Sequence, residues 1–128
     1  MIYADTSALA KLLIAEAETP ALRHWISQQD ARLVTNSVGV VELRRLAARV
    51  SQQALGAATV LLGRIDRLAL TPAALALAGE LPPPEVRTLD ALHIASAAEL
   101  PELQVLVTYD RRMAEAATRY GLPVESPA

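Results

Sequence analysis

Gln104-Val105-Leu106-Val107-Thr108-Tyr109-Asp110 is the stretch on which the fold turns. Three consecutive aliphatic residues, two of them β-branched, stand between polar neighbours, the pattern of a strand buried on both faces. Asp110 to Tyr120 then has helical character and stops at Gly121, a residue suited to the backbone conformation at a helix C-terminus. A buried strand running directly into a helix is half of a βαβ unit.

The same alternation recurs on either side. Ile2-Tyr3-Ala4 reads as a short strand ending at Asp5, and Thr6 to Ala17 as a helix with Leu9, Leu12 and Leu13 on one face. Thr19-Pro20 opens a second helix to about Gln29, with proline where its missing N–H is harmless. Arg32 to Thr35 predicts a strand, and Ser37 caps a helix to about Ser51. A further helix covers roughly Ala54 to Asp66. Arg67 to Leu70 predicts a weaker third strand, and Thr71-Pro72 repeats the helix-start signal. Leu81-Pro82-Pro83-Pro84 must be a loop. Thr88 to about Leu100 predicts another helix, and Pro123 to Glu125 a last strand. Strands alternating with helices imply an α/β chain with a central parallel sheet covered on both faces. Ligands in such sheets bind beyond the carboxyl ends of the strands.

The chain has 128 residues, 12 basic and 14 acidic, and 52% hydrophobic residues. That length predicts one domain spanning residues 1–128. The hydrophobic content excludes a disordered chain. Cysteine is absent, which excludes disulfide scaffolds, cysteine nucleophiles and zinc–thiolate sites. A net charge of −2 argues against a general basic coat for nucleic acid. No basic leader precedes an apolar segment, and the apolar runs fall far short of a membrane span. The expected location is cytoplasmic, with no membrane partner.

Asp5 and Asp110 stand at the carboxyl ends of the first strand and of the Val105 strand. An acidic cation site in this architecture needs acids at those places. Each also has a plainer reading as the N-cap of the helix that follows. Glu42 lies at the edge of the apolar stripe Gly39, Leu43, Leu46, Ala47 and Val50, and Asp90 shares a helix face with Ile94 and Ala97. An acid facing a core costs several kcal/mol unless paired or cation-bound. The plainer readings are an ion pair of Glu42 with Arg45 or Arg49, and a first-turn, dipole-stabilised Asp90. Four acids converging on one pocket would repel one another, and a divalent cation removes the conflict. All-oxygen ligands suit Mg2+ or Mn2+ rather than zinc.

Asp5-Thr6-Ser7-Ala8-Leu9, the isolated Glu42, Asp90-Ala91-Leu92-His93-Ile94-Ala95 and Thr108-Tyr109-Asp110 together resemble the PIN-domain nucleases. Their order and spacing are similar to the VapC-type toxins of bacterial toxin–antitoxin pairs, over essentially Ile2 to Val124. The resemblance implies a PIN-like, Rossmann-like three-layer α/β/α fold and a Mg2+- or Mn2+-dependent endoribonuclease. It also implies inhibition by a cognate VapB-type antitoxin, and a homodimer. By position, Asp5 and Asp90 match the most direct metal ligands. Glu42 and Asp110 match the residues that complete the catalytic cluster, and Ser7 and Thr108 match small polar residues lining the pocket. The implied nucleophile is a metal-activated water, leaving a 5′-phosphate. Thr108 stands where some members carry a further acid, which leaves one or two metals open.

Arg45, Arg111 and Arg112 are candidates for contacting RNA phosphate or an antitoxin carboxylate, against a solvated-face alternative. His93 reads as a buried, hydrogen-bonded histidine rather than a catalytic one. Thr6 divides evenly between pocket and helix start. His24 reads as surface and Trp25 as packing. A catalytically inactive PIN-like module acting through a protein partner is the competing function, and retention of all four acids argues against it. A phospho-acceptor receiver domain needs an aspartate ending the third strand and a lysine near the last. Here Leu70-Thr71 follows that strand and Lys11 is the only lysine. The Gly-x-Gly-x-x-Gly turn of dinucleotide-binding domains is missing.

Overall fold

A computed structural model describes residues 1–128. β1 (Ile2–Ala4) leads into α1 (Thr6–Leu13) and α2 (Thr19–Ser27), and β2 (Leu33–Asn36) into α3 (Ser37–Val50) and α4 (Gln52–Leu62). β3 (Asp66–Leu68) leads into α5 (Pro72–Glu80) and α6 (Thr88–Ala98), and β4 (Val105–Val107) into α7 (Arg111–Arg119) and β5 (Val124–Glu125). The strands pair in parallel throughout, in the order β3-β2-β1-β4-β5.

The strand period of two divides the core. Ile2 and Ala4 pack with Leu9, Leu22, Leu43 and Leu62 on one face of the sheet, beneath α1 to α4. Tyr3 points the other way and packs with Ile94, Ala97, Met113 and Ala117, beneath α6 and α7. β4 repeats the split, with Val105 and Val107 on the first face and Leu106 on the second. The result is three layers with two cores, and each fully buried aliphatic side chain contributes about 1.5–3 kcal/mol.

β1 lies between β2 and β4. The chain therefore leaves β1 toward one edge of the sheet and later returns on the other side of it. The crevice between the carboxyl ends of β1 and β4 is the topological switch point, where ligands bind in open α/β sheets.

Several element limits differ from the sequence reading. α1 stops at Leu13 rather than Ala17, because Ile14 is extended. Lys11 reaches over the following turn to Glu16 at 3.0 Å and Glu18 at 2.7 Å. Asn36, not Ser37, caps α3: its side chain accepts from the Gly39 amide at 2.9 Å. Ser51 alone separates α3 from α4 and caps the latter. α4 ends at Leu62, with Gly63 as its C-cap, rather than at Asp66, and β3 runs Asp66–Leu68 rather than Arg67–Leu70. The expected apolar stripe of α3 is shorter than read: Gly39, Leu43 and Ala47 are buried, but Val50 is exposed. α6 ends at Ala98, two residues before Leu100.

Candidate active site

Asp5 sits directly after β1, Asp110 directly before α7, Glu42 on α3 and Asp90 in the first turn of α6. All four line one pocket of about 300 Å³, together with Thr6, Ser7, Arg87 and His93. The pocket lies at the switch point.

Asp5 is 2% exposed, and both its oxygens accept hydrogen bonds. Its Oδ1 accepts from Ser7 Oγ at 2.7 Å and from the Ala8 amide at 3.0 Å, and its Oδ2 accepts from Thr108 Oγ1 at 2.6 Å. The capping reading and the pocket reading thus both hold for this residue. Burial pushes its carboxyl pKa up, against the opposing pull of Thr108, Ser7 and the Ala8 amide. Asp110 is likewise a cap: its Oδ1 accepts from the Arg112 and Met113 amides at 2.9 and 3.2 Å. Thr108 ties the two acids, since its hydroxyl donates to Asp5 and accepts from the Asp110 amide at 3.1 Å. Thr108 is wholly buried, so it lies under the pocket wall and holds Asp5, rather than on the wall itself. Ser7 both lines the pocket and accepts from the Tyr109 amide at 2.8 Å.

Glu42 pairs with neither Arg45 nor Arg49. Its Oε1 accepts from Thr6 Oγ1 at 2.7 Å and lies 2.8 Å from His93 Nε2. Burial alone would raise its pKa, but the bonds from His93 and Thr6 outweigh burial and leave it lowered. His93 is 1% exposed, and its Nδ1 lies 2.7 Å from the Tyr3 hydroxyl. Burial drives the Tyr3 pKa far up, so the phenol keeps its proton. The Glu42 carboxylate can only accept, so Nε2 carries the hydrogen in that bond. The buried-histidine reading is right, and the chain Tyr3–His93–Glu42 makes that histidine a wall of the pocket. Thr6 belongs with the pocket as well.

Asp90 is half-buried and accepts no hydrogen bond. Burial raises its pKa, and the negative charges of Asp110 and Asp5 raise it further, against Arg87 and His93. These acids repel one another with no protein cation bonded to Asp90. No three His, Asp or Glu side chains converge closely enough to cage an ion by themselves. Magnesium keeps several waters and takes only one or two carboxylates, so hard oxygen donors in this arrangement fit such an ion.

The candidate arginines separate. Arg111 and Arg112 line a cleft of about 730 Å³ along α7, shared with Asp90 and Arg87. Arg45 lines a different cleft of about 640 Å³ along α3, beside Glu42, Val41 and Leu46. Tyr3 and Arg87 carry no local signal in the sequence. Tyr3 shares only strand parity with Asp5, and Arg87 precedes its helix by one residue.

Residues 2–119 match the model of the PIN domain family. The chain is 42% identical over 132 residues to "Ribonuclease VapC47" of Mycobacterium tuberculosis, covering 99% of this chain and 97% of that one. It is 39% identical over 131 residues to "Ribonuclease VapC35" of the same species, covering 99% and 97%. Among solved structures it is similar to M. tuberculosis VapC20, titled a sarcin-ricin loop cleaving toxin, with a TM-score of 0.78 at 19% identity over 99% of this chain and 100% of that one. It is similar too to the DNA-bound VapBC of Salmonella typhimurium, with a TM-score of 0.79 at 19% identity over 98% of this chain and 96% of that one.

Proposed function

From a chain that belongs to the PIN-domain family and, within it, to the VapC ribonucleases, we propose the endoribonuclease toxin of a toxin–antitoxin pair. The observation that carries this reading is the convergence of Asp5, Glu42, Asp90 and Asp110, from four separate elements, on one pocket at the switch point. The reaction is hydrolysis of an RNA phosphodiester. The cognate partner is a VapB-type antitoxin, supported by the toxin–antitoxin assemblies among the structural relatives. The working form is a homodimer.

Asp5 and Asp90 would hold a divalent cation, Mg2+ or Mn2+, with Glu42 and Asp110 completing its surroundings. Such an ion supplies an activated water and neutralises charge on the phosphate. The protein's own contribution is orientation. Ser7, Thr108 and the Ala8 amide fix the Asp5 carboxylate. Thr6 and His93 restrain Glu42 through one oxygen, Oε1. The α7 N-terminus restrains Asp110 in the same way, through Oδ1. Second partners of this kind set the direction of ligating carboxylates. Arg45, Arg111 and Arg112 flank the pocket, facing RNA or antitoxin.

The test is cleavage of pooled structured RNA by protein freed of antitoxin, with Mg2+, Mn2+ or EDTA, beside Asp90→Asn. Cutting that needs the metal and disappears in the variant is the expected result. Full activity in EDTA, or in Asp90→Asn, would overturn the assignment.

A further inference from the structure

The cleft along α7 is larger than the acidic pocket and opens from it, because Arg87 and Asp90 line both. Four arginines border it: Arg87, Arg111, Arg112 and Arg119. They are more than a third of the chain's eleven arginines, in a protein of net negative charge. All four are exposed, and none takes part in an ion pair, since the molecule's ion pairs involve Lys11, Arg32 and His93. Glu85 and Glu115 share the cleft without pairing to them. Arg112 and Arg119 are two helical turns apart, about 10 Å along the α7 axis. The cleft therefore runs from the acids at the start of α7 toward its far end, with a guanidinium near each end. The opposite flank differs: the cleft along α3 sets Arg45 and Arg49 among Val38, Val41, Leu46 and Leu89.

From this asymmetry we infer that the α7 cleft is the track for the RNA backbone on one side of the cut, with Arg112 and Arg119 each holding a phosphate of the strand and Arg87 standing where the track meets the acids. The inference rests on the ribonuclease reading and adds to it the flank on which the strand lies. Guanidinium groups suit this task, because each offers a planar fork of donors to phosphate oxygens. The contacts carry no base information, so the track fixes register and leaves sequence choice to other residues.

The experiment compares Arg112→Ala/Arg119→Ala with Arg64→Ala/Arg67→Ala, a pair of exposed arginines bordering neither cleft. Binding of a fluorescein-labelled oligouridylate is followed by anisotropy in EDTA, between about 50 and 200 mM salt. Cleavage kinetics are followed with Mg2+. The α7 pair is expected to bind on the order of tenfold more weakly at low salt, with a log–log salt slope shallower by about 1.4, the loss of two single-strand phosphate contacts. Its KM should rise while kcat holds, as for contacts made equally in ground and transition states. The control pair should match the parent. Unchanged affinity and slope in the α7 pair would overturn the track. So would unchanged RNA binding with lost affinity for the cognate antitoxin, which would hand the cleft to the protein partner. Failure of the parent itself to bind or cut RNA would instead bring down the ribonuclease reading beneath it.

Discussion

Asp90 is the pocket acid to which no side chain is hydrogen-bonded or ion-paired. Its carboxyl pKa is raised by burial and by Asp110 and Asp5, so the folded chain binds that proton more tightly than the unfolded chain. The associated stability is present below the ordinary carboxylate range and is lost as pH rises through the raised value. Asp90→Asn should therefore be more stable than the parent at pH 7 in EDTA, by roughly 0.5 kcal/mol given its partial exposure to solvent. The gain should vanish only below the ordinary carboxylate range, and urea titrations at pH 7 and at a pH below that range check it. Tyr3→Phe probes the other side of the pocket. Removing the hydroxyl leaves His93 Nδ1 buried without its hydrogen-bond partner, at a cost of about 1–3 kcal/mol. A thermal melt should show the loss, and an unchanged melting temperature would mean that the imidazole finds another partner. His93 shows how a plain reading and a functional one merge: it is a satisfied core histidine, and what satisfies it is a pocket acid.

At the scale of elements, the placement of α3 decides whether Glu42 reaches the site. Gly39 makes that placement possible. A Cβ there would run into Thr35 Oγ1 and lie 3.3 Å from His93 Cε1, so a glycine lets the helix lie this close to β2 and α6 without displacing them. Asn36 fastens the same corner, capping α3 while donating to Leu92 O and Ser96 Oγ on α6. Gly39→Ala should destabilise the fold by about 1–3 kcal/mol, the usual range for overpacking. It should also reduce cleavage by more than the loss of folded protein explains, because Glu42 lies one turn along the displaced helix. Circular dichroism melts beside specific activity per folded molecule separate the two effects. The apolar period of α3 was legible in the sequence, but the reason for its glycine was not. The residue it avoids, Thr35, becomes its neighbour only when strand and helix pack.

For the whole molecule, the two cores share one sheet, and β1, β2 and β4 each contribute to both. Leu106 is fully buried in β4, and Leu106→Ala should cost about 2–5 kcal/mol. If residues 1–128 are one cooperative domain, tryptophan fluorescence from Trp25, which packs on the opposite face, should report the same urea midpoint as backbone circular dichroism. Two separate midpoints would divide the domain. No helix is long and apolar enough to cross a membrane. The sequence by itself determined the alternation of strands and helices, the parallel α/β class and the acids at Asp5 and Asp110, because these depend on local period, caps and turn residues. It also singled out Glu42 and Asp90, since an acid at or beside an apolar stripe is costly wherever the helix lies. Only the tertiary structure decided that His93 and Thr6 rather than Arg45 hold Glu42, that Thr108 lies beneath the wall, and that Arg87 joins the pocket to an arginine-lined cleft. Those contacts join residues 36 to 103 positions apart or depend on how α6 and α7 pack. Periodicity along one element carries no information about which face of another it will meet.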